Sequence, residues 1–164
     1  MKWGISVVLL STLAYLGWGF TMKLNHKREI AQRTQTLPPV TVEAVSGQCV
    51  TLAGQGHPTV LLFIEPDCDH CRRQMVELQK YHAQLAGAAV FVLSAAPLAE
   101  LKTFAQTHRL TGLSNVQVAH VGREVAHDRF GFASTLDILI YHADGLLSKR
   151  FKGETSIDAI RRHL

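Results

Sequence analysis

Two cysteines, Cys68 and Cys71, stand two residues apart in the run Cys68-Asp69-His70-Cys71. At that spacing both sulfurs can approach within one helical turn and close a small disulfide. An apolar run precedes the pair and a helical pattern follows it, which places it at a strand-to-helix junction. Free N–H groups and the helix dipole stabilise an anion there. Cys68, nearer the end, gains most and is expected to be the exposed thiolate. Cys71, one turn inside, is expected to be protected. Thiolate is the attacking form, so a depressed pKa defines reactivity near neutral pH. His70 offers a positive charge beside Cys68, while Asp67 and Asp69 oppose it; the sequence leaves the net sign open. The chemistry that fits is thiol–disulfide exchange. Cys68 attacks a partner disulfide, a mixed disulfide forms, and Cys71 resolves it. Two electrons move, and the domain needs no metal or organic cofactor.

Competing readings attach to the same residues. A lone C-x-x-C is also half a zinc site, and Cys49, His57 and His70 are the residues to complete it; no second close-spaced pair exists. Glu65, three residues before Cys68, is read as a solvated loop charge, with a proton relay to Cys71 as the alternative. Cys49, the odd cysteine, reads as a small buried strand residue, with intermolecular pairing as the alternative. His57, His82, His108, His120, His127, His142 and His163 are dispersed, with no H-x-x-x-H pair, and read as solvated or capping groups. Arg72 and Arg73 read as exposed helix charges that enrich positive potential near Cys68.

The elements that must hold the pair follow from periodicity. Residues 40–45 and Cys49–Leu52 read as short strands, and residues 54–57 with Pro58 as a break. Thr59–Ile64 is a continuous apolar run, suited to a strand covered on both faces. The next helix is expected to start near Cys68, with Met75, Leu78 and Leu85 on one face and Gly87 as its cap. Residues 89–93 form a second buried strand. Pro97 opens a helix whose Leu98, Leu101, Phe104 and Ala105 share a face. Residues 116–121 read as a weaker strand and 122–130 as a short helix or loop. Residues 137–141 and 146–151 form a hairpin across Ala143-Asp144-Gly145. A closing helix carries Ile157, Ile160 and Leu164, capped by Thr155 or Ser156. Alternating strands and helices imply one α/β domain with a mainly parallel sheet, to which the hairpin adds antiparallel strands. Ligand sites in such sheets lie beyond the carboxyl ends of strands, where residues 65–71 fall.

Charge is unevenly spread over the 164 residues, whose formal net charge is +4. Lys2, Lys23, Lys27, Arg28 and Arg33 lie near the start, and from residue 34 onward 12 basic residues face 12 acidic ones. A nucleic-acid domain with a basic face is therefore not expected. With 47% hydrophobic and 18% charged residues the chain is not of the disordered class. Three cysteines are too few for a disulfide-stapled scaffold. Residues 4–22 carry no charge, and 19 residues of helix rise about 28 Å, close to a hydrocarbon core's thickness. They read as an N-terminal transmembrane anchor over residues 1–22, with Trp3 and Trp18 near its ends. A cleaved signal peptide and a buried soluble helix are the competing readings. Residues 23–39, ending in Pro38-Pro39, read as a linker to a domain over 40–164. The basic residues after the span favour a cytoplasmic domain. The redox chemistry favours the other side, so the expected location is the bacterial inner membrane with the domain facing the periplasm.

The stretch TVLLFIEPDCDHCRRQM, residues 59–75, resembles the active-site segment of the thioredoxin-like superfamily. Residues 40–164 look like a membrane-anchored TlpA/ResA-type or bacterial redoxin domain, including the leading strands, the late Asp144-Gly145 turn and the ending FKGETSIDAIRRHL. The resemblance covers about three quarters of the chain. It implies a thioredoxin-like fold, a central mixed sheet with helices on both faces. It also implies that Cys68 attacks, that Cys71 resolves, and that protein thiols or disulfides are the partners. A membrane protein that passes electrons is the implied supplier for a reductase. His70 stands where oxidising DsbA-type proteins also have histidine, implying a destabilised disulfide. One departure stands out. The family's cis-proline, which faces the cysteines and guides the partner's backbone, falls here on Leu136 or Thr135, the two substrate-docking candidates. A cis bond before Leu costs about 2.5–4 kcal/mol, so a trans bond is expected, and Asp137 places a charge near the thiols. That departure keeps open a redox-weak module that binds a protein, copper or zinc through the same loop. Peroxiredoxins of similar fold carry Thr or Ser three residues before the reactive cysteine, where this chain has Glu65, so peroxidase chemistry is not expected.

Overall fold

The computed structural model describes residues 32–54 and 56–164, together with Tyr15 and Trp18. The expected anchor over residues 1–22 and most of the linker lie outside the described residues. Among the described residues no helix is long and apolar enough to cross a membrane.

Seven strands form one sheet: β1 (Val40–Ala44), β2 (Cys49–Leu52), β3 (Thr59–Ile64), β4 (Ala89–Ser94), β5 (Val116–His120), β6 (Leu136–Tyr141) and β7 (Leu147–Lys152). Their order is β2-β1-β5-β4-β3-β6-β7. Only β5-β4-β3 run parallel; the pairings of β1 with β2 and β5, of β3 with β6 and of β6 with β7 are antiparallel. The sheet is thus mixed rather than mainly parallel. The reason is that β6 docks directly beside the central β3, with Leu136 opposite Ile64.

From residue 40 onward the described α-helices are α1 (Asp69–Tyr81), α2 (Leu98–Thr107), α3 (Arg123–Phe130) and α4 (Ile157–Arg161). Alternation along β3 divides the core in two. Val60, Leu62 and Ile64 meet Cys71, Met75 and Leu78 of α1, Leu101 and Phe104 of α2, and Ile157 and Ile160 of α4. Leu61 and Phe63 point the other way, toward Ala126 and Phe130 of α3 and toward Leu37. All six residues of β3 are buried, as a doubly covered strand requires.

Local departures from the expected elements have identifiable causes. The helix after Cys68 stops at Tyr81 and continues as a 3-10 turn, His82–Leu85. Gly87 does not cap it. Instead Asn115 Nδ2 donates to the carbonyls of His82 (3.3 Å) and Leu85 (2.9 Å). Ser156, not Thr155, caps α4 by accepting the Ala159 N–H. α3 ends at Gly131, whose left-handed backbone (φ 63°) returns the chain toward β6. Cys49 is exposed at the start of the edge strand β2, not buried as expected, while Leu52 at the other end of that strand is buried in the core.

The chain packs before β1 begins. Thr34 and Leu37 are buried. Leu37 N–H donates to Gly145 O, and Leu147 N–H to Gln35 O, both at 2.8 Å. Leu37→Ala in the full chain is therefore expected to cost about 2–5 kcal/mol, measured as a lower urea midpoint. An unchanged midpoint would show that this segment is only a tether.

Candidate active site

β3 delivers the chain to the end of the sheet, and the turn after it is closed by Cys68 N–H donating to Glu65 O at 3.0 Å. Cys68 then acts as the N-cap of α1. Its backbone is extended (φ −84°, ψ 121°), and its Sγ accepts the Cys71 N–H at 3.3 Å. A thiolate here fills the role that a capping oxygen fills elsewhere, so the fold favours the ionised sulfur. Cys68 is partly exposed and Cys71 fully buried, as the sequence predicted.

Thr135 faces the pair from the loop before β6. Its carbonyl accepts the Cys71 thiol at 3.0 Å, and its hydroxyl lies 3.7 Å from Cys68 Sγ. Burial works against a charge on Cys68. The Cys71 side chain and N–H, the Thr135 hydroxyl and the His70 backbone outweigh it and hold the Cys68 pKa below an ordinary thiol's. Cys71 shows the opposite behaviour. Burial first, then its hydrogen bond to Cys68 and the nearby charges of Cys68 and Glu65, push its pKa up to about 12. The two thiols are divided into one attacking and one waiting group.

His70 contributes to Cys68 through its backbone N–H. Its imidazole turns to Glu154, with Nδ1 2.5 Å from Oε1. Of the docking candidates, Thr135 is at the site. The Leu136 side chain is core, 2% exposed, because β6 begins there in register with β3, so it cannot meet a partner. Every described peptide bond is trans.

Asp137 does not put a charge beside the thiols. It is fully buried and holds the Thr135 loop from behind. Its Oδ2 accepts Ala133 N–H (3.0 Å), Ser134 N–H (3.2 Å) and Arg150 Nη2 (3.1 Å). The same Arg150 nitrogen also donates to Gly131 O. Burial opposes ionisation of Asp137, but these donors prevail and keep its pKa below the usual carboxylate range. The signal in the sequence was an acid inside an otherwise apolar strand, LDILIY. Sequence reasoning assigned it to the site and missed its partner.

Glu65 is more than a solvated loop charge. It pairs with Arg123 at the start of α3 (3.1 Å), is 25% exposed at the side chain, and acts electrostatically on Cys71. A cavity of about 460 Å³ opens beside Thr135, floored by Phe63 and Phe132 and rimmed by Glu65 and Arg123. Among the described residues no three His, Cys, Asp or Glu side chains gather as a metal site, and Cys49, His57 and His70 do not converge.

A C-x-x-C at the head of a helix, fed by a central buried strand and faced by a loop from a neighbouring antiparallel strand, defines a thioredoxin-like protein. The chain belongs to the AhpC/TSA family, whose model matches residues 34–136. The methylamine utilization protein MauD of Methylobacillus flagellatus is 25% identical over 141 residues, 85% of this chain and 68% of MauD. The thioredoxin-like protein YneN of Bacillus subtilis is 28% identical over 116 residues, 67% of this chain and 68% of YneN. Among solved structures, a secreted Mycobacterium tuberculosis disulfide oxidoreductase homologous to Escherichia coli DsbE superposes with a TM-score of 0.65. It is 21% identical, and the match covers 80% of this chain and 96% of that one. At that identity the likeness is one of fold.

Two outcomes are expected from this geometry. At neutral pH a thiol-alkylating reagent modifies Cys68 faster than exposed Cys49 and spares Cys71 until the protein unfolds; mass spectrometry of the labelled peptides reads the order. The low Asp137 pKa stabilises the fold above the unfolded carboxylate's pKa of about 3.9, and that contribution is lost as pH falls through the folded value. Asp137→Asn should flatten this acid dependence of the urea midpoint. Removing the charge that partners the partly exposed Arg150 should also lower the urea midpoint at neutral pH.

Proposed function

We propose that the protein is a thiol–disulfide oxidoreductase that exchanges disulfides with partner proteins through Cys68 and Cys71. The observation that carries this reading is the division of the pair: a partly exposed sulfur with a lowered pKa and a buried neighbour pushed to about 12.

The steps follow from those two states. Cys68 thiolate attacks one sulfur of a partner disulfide, and the partner's other sulfur leaves as a thiolate. The new mixed disulfide carries no charge on Cys68. That removes the charge and hydrogen bond which help to raise the Cys71 pKa, so Cys71 ionises more readily once it is needed. Cys71 gives up its proton to solvent, its sulfur attacks Cys68 Sγ, and the partner's second sulfur departs as a thiolate. The partner gains two electrons and this protein holds a Cys68–Cys71 disulfide. Run backward, the same steps oxidise a partner dithiol. Thr135 keeps its roles in either direction, with its hydroxyl toward Cys68 and its carbonyl toward Cys71. The cavity beside it leaves room for a partner's side chain next to the reacting cysteine.

Peroxide reduction is the less favoured chemistry. The position three residues before Cys68 offers a carboxylate tied to Arg123 rather than a hydroxyl. For location, we propose a single anchor over residues 1–22 in the bacterial inner membrane, the domain on the periplasmic side, and a membrane electron donor as its redox partner. The uncharged run of residues 4–22 supports this.

Cys71→Ser is expected to accumulate mixed disulfides with partner proteins, visible as thiol-sensitive adducts on non-reducing gels. Cys68→Ser should form none and should lose disulfide exchange. Exchange at the parental rate without Cys68 would sink the reading, as would rapid peroxide consumption by the parent protein. A membrane-impermeant thiol reagent applied to intact cells should label the domain; labelling only after lysis would reverse the orientation.

A further inference from the structure

A cluster outside the cysteine pair bears on how strongly that pair oxidises. His70 and Arg73 are three residues apart on α1 and so share a face. Opposite them stands Glu154, from the loop between β7 and α4. Its Oε1 accepts from Arg73 Nε (2.9 Å) and Arg73 Nη2 (2.5 Å) and lies 2.5 Å from His70 Nδ1. His70 Nδ1 also lies 2.8 Å from Arg73 Nη2, so the three side chains form one cluster. The loop that brings Glu154 is itself pinned. The next residue, Thr155, exchanges two backbone hydrogen bonds with the buried amide of Gln74: Nε2 donates to Thr155 O at 2.9 Å, and Thr155 N–H donates to Oε1 at 2.8 Å.

The charges around the pair are unevenly matched. Arg72 pairs with Asp69, and Arg123 with Glu65. Asp67 precedes Cys68 and offers its backbone carbonyl to Arg72. Buried Cys71 stands beneath the attacking sulfur as a neutral thiol. The Thr135 loop presents a hydroxyl and no charge to that sulfur. His70 and Arg73 share the one carboxylate of Glu154. Arg73 does sense the Cys68 charge, and Glu154 ionises more easily than a free glutamate, first because of its hydrogen bond from Arg73 and then because of that from His70.

We propose that Glu154 is a positioning residue for the thiol pair: it holds the His70 imidazole and the Arg73 guanidinium on a carboxylate rather than on the Cys68 sulfur, and so makes the Cys68–Cys71 disulfide less oxidising. The resemblance of the His70 position to DsbA-type proteins implies the opposite bias. A residue 86 positions after Cys68 thus sets the balance toward the reducing direction. The inference rests on the exchange reading.

The experiment uses the full chain with Glu154→Gln, which keeps the shape and removes the charge. Two quantities are read. One is the midpoint of Cys68 ionisation, followed by thiolate absorbance in a Cys71→Ser background. The other is the equilibrium with glutathione, in which the Cys68 and Cys71 thiols and one oxidised glutathione give the intramolecular disulfide and two glutathione thiols. Glu154→Gln should lower the ionisation midpoint and shift the equilibrium about three- to tenfold toward the protein dithiol, the change that a half to one pKa unit produces. Adding His70→Ala and Arg73→Ala should abolish most of that shift. The proposal fails if Glu154→Gln moves neither quantity, or if its effect persists undiminished without His70 and Arg73. A parent pair that never equilibrates with glutathione would overturn the exchange reading instead, while the ionisation midpoint still tests Glu154.

Discussion

Cys68 is at once the nucleophile and the N-cap of α1, and the arrangement of the site follows from that double use. A helix start leaves N–H groups without partners, and here one of them is spent on a sulfur. The same bond that closes the first turn therefore stabilises the thiolate. It also sets where Cys71 must lie: one turn on, on the buried face of the helix, among residues of the core. An exposed, easily ionised sulfur and a buried, reluctant one arise from a single geometric fact.

The opposite wall is built with different means. Thr135 reaches both sulfurs from a loop that has no regular structure of its own. Such a loop holds its shape only if something fixes it from behind. Asp137 does so: its buried carboxylate gathers two loop N–H groups and the partly exposed Arg150 guanidinium. A charged carboxylate deep in the sheet is costly to bury. Its use here is to give a short loop one conformation at the place where a partner's backbone would pass.

Electrostatics around the pair is a balance of neighbours rather than a property of the motif. Burial raises both thiols, and hydrogen bonding reverses the sign at Cys68 alone. The adjacent cations are already engaged with carboxylates, on α1 itself, at the start of α3 and in the loop after β7. The chemistry at Cys68 is thereby tied to three separate segments of the chain.

The amino-acid sequence by itself determined the strand-to-helix junction, the exposed and buried assignments of Cys68 and Cys71, and nearly every element, because these depend on local periodicity and on what a helix terminus does to an anion. It could not reveal that Leu136 is core while Thr135 is surface, since that follows from the register of β6 against β3. Nor could it reveal that Asp137 meets Arg150, that Cys49 faces solvent, or that His70 meets Glu154. Each of these joins or separates residues far apart along the chain, and only the docking of strands and loops brings such groups within hydrogen-bond reach. Tertiary structure decided what surrounds the sulfurs, because an electric field at a point depends on distance in space and not on distance in sequence.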